Sequence, residues 1–95
     1  MNKYELTVVV NGGLSEEEAK AEFEKVQELI ARFGGTVEKI DEWGKRRFAY
    51  EIDKMNDGYY QVVYFDGAAQ TPGELESRLR IAEKIVRYLI VRVDE

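Results

Sequence analysis

Three adjacent cations, Lys45-Arg46-Arg47, run straight into Phe48-Ala49-Tyr50, and no other stretch of the chain combines charge and aromatic rings so densely. Cations on a strand beside aromatic rings suit phosphate contact, with the rings packing or stacking against the nucleotide. The plainer use is a solvated hairpin arm, since short basic runs are common and strand alternation sends Arg46 and Arg47 to opposite faces. A second set of cations, Arg78, Arg80, Lys84 and Arg87, either extends a basic surface or simply pairs with Glu74, Glu76 and Glu83. Carboxylates are densest at Glu16-Glu17-Glu18, continuing through Glu22, Glu24 and Glu28. The first three favour the positive end of a helix dipole and the rest its outer face, so a metal site is not expected there.

The residue types that are missing narrow the chemistry. The 95 residues include no cysteine and no histidine. That removes disulfides, thiolate metal sites, cysteine nucleophiles, the commonest general base and the commonest metal ligand. Carboxylates, lysines and tyrosines remain, and the expectation is a protein that binds rather than catalyses: no catalytic residues, no metal, no cofactor and no small-molecule substrate. Gly12-Gly13 and Gly34-Gly35 are not phosphate cradles, because no lysine-serine or lysine-threonine pair follows either. Met1-Asn2-Lys3-Tyr4-Glu5 holds no apolar leader, and Leu89-Ile90-Val91 falls far short of the roughly 20 residues a membrane helix needs. The expected setting is the cytoplasm, with no membrane partner.

A net charge of −5 argues against a general nucleic-acid sponge. Its distribution is informative: residues 1–44 carry five basic and ten acidic side chains, whereas residues 45–95 carry nine of each. A polyanion can therefore dock on the second half, away from the acidic helix.

Those side chains are positioned by six elements. Tyr4, Leu6, Val8 and Val10 alternate as one face of a strand that Asn11-Gly12-Gly13 closes. Ser15 and Glu18 form a capping box, with Leu14 and Ala19 placed as a hydrophobic staple. Ala19, Phe23, Val26, Ile30 and Phe33 then recur at helical spacing until Gly34-Gly35 stops the helix. Thr36 to Ile52 reads as one long strand with a bulge near Trp43-Gly44. Asn56-Asp57-Gly58 supplies turn chemistry, and Tyr59 to Phe65 forms the second arm of a hairpin. Thr71-Pro72-Gly73-Glu74 starts a short helix with Thr71 as N-cap and Leu75, Leu79 and Ala82 as its buried stripe. Ile85 to Val93, apolar at most positions, suits a strand in the middle of a sheet or against a helix.

The order βαββαβ predicts an α+β, ferredoxin-like domain over residues 1–95: a four-stranded antiparallel sheet with two helices on one face. RNA recognition motifs share this order, but Asp57, Tyr60 and Gln61 stand where their signature wants a cation, a small residue and a stacking ring. The tyrosines of that strand are therefore read as sheet packing or a protein contact surface. Acylphosphatases also share the order, and no arginine–asparagine pair occupies the loop their chemistry uses.

Taken end to end, the chain closely resembles the S-six family of bacterial small-subunit ribosomal proteins. The resemblance rests on the Tyr4-Glu5 strand, Val37-Glu38-Lys39-Ile40, the run Trp43-Gly44-Lys45-Arg46-Arg47-Phe48-Ala49-Tyr50-Glu51-Ile52, Gly58-Tyr59-Tyr60, Arg80-Ile81, and Val86 through Arg92. It implies a ribosome-bound protein without catalytic activity that binds the central domain of small-subunit ribosomal RNA. It also implies a basic partner, ribosomal protein S-eighteen, which supplies much of the phosphate neutralisation that an acidic protein lacks. Carried over position by position, the implied RNA-facing residues are Lys3, Tyr4, Arg46, Arg47, Tyr50, Arg80, Arg87 and Arg92, cations on phosphates and tyrosines against ribose. Many relatives have arginine near Lys3, proline at the position of Glu51 and a longer C-terminal tail. The competing expectation is a small regulatory or ligand-binding module of the same fold that self-associates through its sheet.

Overall fold

A computed structural model of the chain describes the backbone of residues 2–52 and 55–93, and side chains throughout except at 48–52 and 55–56. The elements follow in the order β1 (Asn2–Asn11), α1 (Glu16–Arg32), β2 (Thr36–Ile52), β3 (Met55–Gly67), α2 (Thr71–Leu79) and β4 (Ile85–Arg92). The four strands make one sheet in the order β2-β3-β1-β4, and every neighbouring pair is antiparallel. This is the ferredoxin-like arrangement expected from the element order.

Alternation in β1 decides the core. Tyr4, Leu6, Val8 and Val10 point to one face and are buried there with Tyr59, Val63 and Phe65 of β3. Onto this surface α1 lays Ala19, Phe23, Val26 and Ile30, and α2 lays Leu75 and Leu79. Both helices therefore cover the same side of the sheet and leave the other side open.

The capping box forms as expected: Glu18 N–H donates to Ser15 Oγ, and Ser15 N–H donates to Glu18 Oε1, each at 3.2 Å. Hydrogen bonding to the carboxylate, from the Ser15 backbone N–H first and from the Ser15 side chain second, holds the Glu18 carboxyl below its ordinary range. A carboxylate with a depressed folded-state pKa stabilises the fold above its unfolded value, and that contribution disappears as pH falls through the folded pKa. Ser15→Ala is expected to cost about 1 kcal/mol near neutrality. Glu18→Gln should lie below the parent in urea melts above roughly pH 5, the gap closing below about pH 4. A gap independent of pH would remove the charge from this account. At the other end of α1, Gly34 takes φ 84°, a left-handed conformation that ends the helix where the glycine pair predicts.

Within β2 the pairing with β3 shifts register between Val37 and Lys39 and again between Glu42 and Gly44, and Gly44 sits at φ 75°. The second shift is the bulge expected near Trp43-Gly44.

Three expectations are corrected. The hairpin does not turn at Asn56-Asp57-Gly58; the ladder runs past them, with Arg46 opposite Gly58 and Arg47 opposite Asp57, until Ile52 faces Met55. Turn-forming residues are held in strand because β1 pairs Gly58 with Asn11 on the other side. Thr71 does not cap α2. Gln70 is its N-cap, while the buried Thr71 hydroxyl donates to the Phe33 carbonyl at 3.0 Å, tying the end of α1 to the start of α2. Thr71→Val keeps the shape but leaves that carbonyl without its donor, an expected loss of about 1–2 kcal/mol by equilibrium denaturation. The helix ends at Leu79, so half-buried Ala82 lies beyond it. The edge strand β4 takes the second of the two placements its composition suits, packing Ile85, Tyr88 and Ile90 against the core on the helix side, while Leu89, Val91 and Val93 are exposed on the open side.

Candidate nucleic-acid interface

The register places four residues in a row across the open face at one end of the sheet. Val9 of β1 pairs with Arg87 of β4 on one side and with Tyr60 of β3 on the other, and Tyr60 pairs with Gly44 of β2. The bulge at Gly44 turns the neighbouring Trp43 onto Tyr60: the rings stack with centroids 6.1 Å apart at 17°. Half of Trp43 remains exposed, at 51%. Arg46 follows on the same face, its Nε donating to the Trp43 carbonyl at 3.0 Å, and Arg47 alternates to the helix side beside Asp57. An open pocket of about 510 Å³ lies among Trp43, Arg46, Arg47 and Tyr60. Exposed guanidinium groups beside a stacked aromatic pair can grip phosphate while offering a ring face to a base. Lys45 is also on the helix side and exposed, 3.8 Å from Asp57 Oδ2 and 5.6 Å from the Tyr59 ring centre.

The other expected site residues divide. Arg80 is exposed at the C-terminal end of α2. Four residues later the Lys84 carbonyl accepts from Asn11 N–H at 2.9 Å, so this segment returns to the end of the sheet that carries Arg46 and Arg87. Lys3 is six residues from Val9 along β1, roughly 20 Å away at the other end. There its ammonium lies 2.7 Å from Glu38 and 3.4 Å from Asp66, and the Glu38 hydrogen bond is the main reason its pKa is raised. Two carboxylates balance that charge, which weakens its claim on a phosphate. Arg92 is exposed beside it on the helix side and donates to Asn2 Oδ1 at 3.0 Å. Tyr4 is 6% exposed, its ring 5.4 Å from Phe65, so its place is in the core and not against ribose. The Tyr50 side chain lies outside the described residues.

Neither Trp43 nor Tyr60 is among the RNA-facing residues expected from the sequence, where the β3 tyrosines read as sheet packing or a protein contact surface. Tyr60 sits in a tyrosine-rich strand, and Trp43 marked only a bend; a large ring beside a glycine bulge was the available signal. The neighbouring positions of β3 face the helices instead. Tyr59 is buried with its hydroxyl donating to the Leu14 carbonyl at 2.8 Å, and buried Gln61 bonds Gln27 of α1.

With this geometry in place, comparison with known families is decisive: the profile of ribosomal protein S6 matches residues 3–92. The chain belongs to the ribosomal protein S6 family. The small ribosomal subunit protein bS6 of Alkaliphilus oremlandii is 43% identical over 95 residues, spanning all of both chains. That of Clostridium acetobutylicum is 45% identical over the same full span. The crystal structure of 30S ribosomal protein S6 from Thermotoga maritima superposes with a TM-score of 0.93 at 34% identity, covering 97% of this chain and 87% of that one. S6 proteins are structural constituents of the small ribosomal subunit and not enzymes, in agreement with the non-catalytic, cytoplasmic, ribosome-bound protein expected from the sequence. No helix among the described residues is long and apolar enough to cross a membrane.

Proposed function

We propose that this chain binds the central domain of small-subunit ribosomal RNA together with the basic ribosomal protein S18 during assembly of the subunit. The observation that carries the reading is the placement of Arg46 and Arg87 on the same end of the open face as the Trp43–Tyr60 stack, with Arg47 on the helix side of the same strand end. Arg80 extends that basic end, and Lys3 and Arg92 form a weaker, carboxylate-flanked outpost at the other. Tyr50 follows the arm. A chain with net charge −5 lacks the cation excess for strong RNA affinity alone, and a basic partner supplies it.

The test is a gel shift of a central-domain RNA fragment with this protein, with S18 present and absent, at about 50 and 200 mM salt. A complex that requires S18 and weakens steeply at the higher salt is expected. Absence of a complex in every combination would reject the reading in favour of a self-associating module.

A further inference from the structure

We propose that the outer edge of β4 receives the β4 of a second copy of this chain, joining the two sheets into one about a two-fold axis at Leu89. β4 pairs only with β1, and beyond the shift at Val9/Val10 that ladder runs unbroken from Arg87 to Arg92. Val93 N–H donates to the Lys3 carbonyl at 2.9 Å, so the odd-numbered residues bond β1 and the backbone amides of Tyr88 and Ile90 point to the outside. From Tyr88 to Val91 the edge has neither charge nor bulge, and a straight apolar edge is open to strand addition. The opposite edge of the sheet is guarded against a second copy, because β2 shifts register repeatedly and carries Glu38, Asp41 and Glu42.

Charge selects the register. Antiparallel partners share a face, so an axis at Leu89 sets Leu89 against its own copy, Tyr88 against Ile90 on the helix side, and Arg87 against Val91 on the open side. Leu89 and Val91 are 59% and 43% exposed in the single chain, and this seam covers both. On the open face Val91 has Glu5 of β1 as its inner neighbour. The Arg87 of one copy therefore lies across Val91 from the Glu5 of the other, two strand spacings away. That is about 10 Å between Cα atoms, a gap the two long side chains span together. An axis at Ile90 would instead aim Arg87 across Val93 at Lys3, and an axis at Tyr88 would set Arg92 against Lys84.

Neither Glu5 nor Arg87 has an ion-pair partner within its own chain among the described residues. The seam supplies one to each: an apolar Leu89 pair at its centre and an Arg87–Glu5 pair on either side, the self-complementarity that a two-fold interface requires. Pairing also covers Arg87. On the reading that this residue faces RNA, the dimer and the RNA complex exclude one another, while the seam itself does not depend on that reading.

Sedimentation equilibrium of the full chain from about 1 μM to about 1 mM should show a monomer–dimer equilibrium, with the Tyr88 and Ile90 amides exchanging more slowly by NMR as concentration rises. Leu89→Lys, at an exposed position, should weaken dimerisation by more than about tenfold while thermal melts show it folded. Glu5→Arg and Arg87→Glu should each weaken it about fivefold. The double variant Glu5→Arg/Arg87→Glu restores opposite charges across the seam and should return to within about twofold of the parent. A chain that stays monomeric at about 1 mM, a dimer indifferent to Leu89→Lys, or a double variant no tighter than the single ones would overturn the inference. So would Tyr88 and Ile90 amides that gain protection only when S18 is added, since the edge would then belong to a different protein. The RNA reading stands or falls on the gel shift alone, whichever of these results is obtained.

Discussion

Truncating Phe65 to alanine lowers the stability of this fold by about 3–5 kcal/mol, the largest single-site loss expected outside the loss of folding itself. Phe65 is 1% exposed on β3, a central strand, and lies opposite Tyr4 on one side and Val37 on the other. Its ring sits 5.4 Å from that of Tyr4 under the helix layer. Removing it forfeits both the transfer free energy of the ring and the contacts of its neighbours, because two flanking strands hold the backbone in place and prevent collapse of the cavity. Domains of this size have total stabilities of about 5–15 kcal/mol, so the variant should stand close to the folding threshold. Urea denaturation measures it: a fall in midpoint at unchanged slope is expected, while Phe65→Leu, which refills most of the volume, should cost below about 1.5 kcal/mol. A loss for Phe65→Ala under about 1.5 kcal/mol would mean that the site closes over, contrary to the rigidity argued here.

Reversing charge at Arg46 and Arg47 together, to glutamate, should leave the fold intact and weaken S18-dependent RNA binding by more than about tenfold. Both residues are exposed, and the Arg46 contact with the Trp43 carbonyl is itself at the surface, so stability has little to lose. The RNA interaction loses two cations and gains two anions at the aromatic end of the sheet, one on each face of β2. A plot of log affinity against log salt should become shallower by about two, one for each phosphate contact removed. Unchanged affinity and slope would take this patch out of the interface and leave Arg80 and Arg87 to account for the binding.

The two substitutions also separate what is local from what is not. Tyr4, Leu6, Val8 and Val10 are buried as their spacing requires, and the Ser15–Glu18 box opens α1 as its residue types require. Gly44 marks the bulge and Gly34 the helix end, each at positive φ. All of these depend on residues within a turn or two of one another, where side-chain periodicity and backbone sterics act directly.

Whatever depended on distant partners was not legible in the same way. Asn56-Asp57-Gly58 has turn composition, yet Gly58 is paired with both β1 and β2 and Asp57 with β2, and the segment stays in strand. Thr71 looks like a cap, and its hydroxyl is instead claimed by the end of α1, thirty-eight residues earlier. The apolar β4 reads as central or packed against a helix, and only the fold decides for the edge with one side against the helices, because strand order is set by crossovers and not by composition.

The site divides along the same line. Composition by itself determined that this protein has no cysteine or histidine chemistry and carries its excess acid in the first half, and the run from Trp43 to Ile52 with its flanking motifs pointed to the S6 family. Only the tertiary structure decided that Tyr59 is core while Tyr60 is surface, and that Arg87 shares an end of the sheet with Arg46 while Lys3 does not. The physical reason is that a residue's type and spacing set which face of its own strand it takes, whereas the neighbours on that face come from pairing register between strands far apart in the chain.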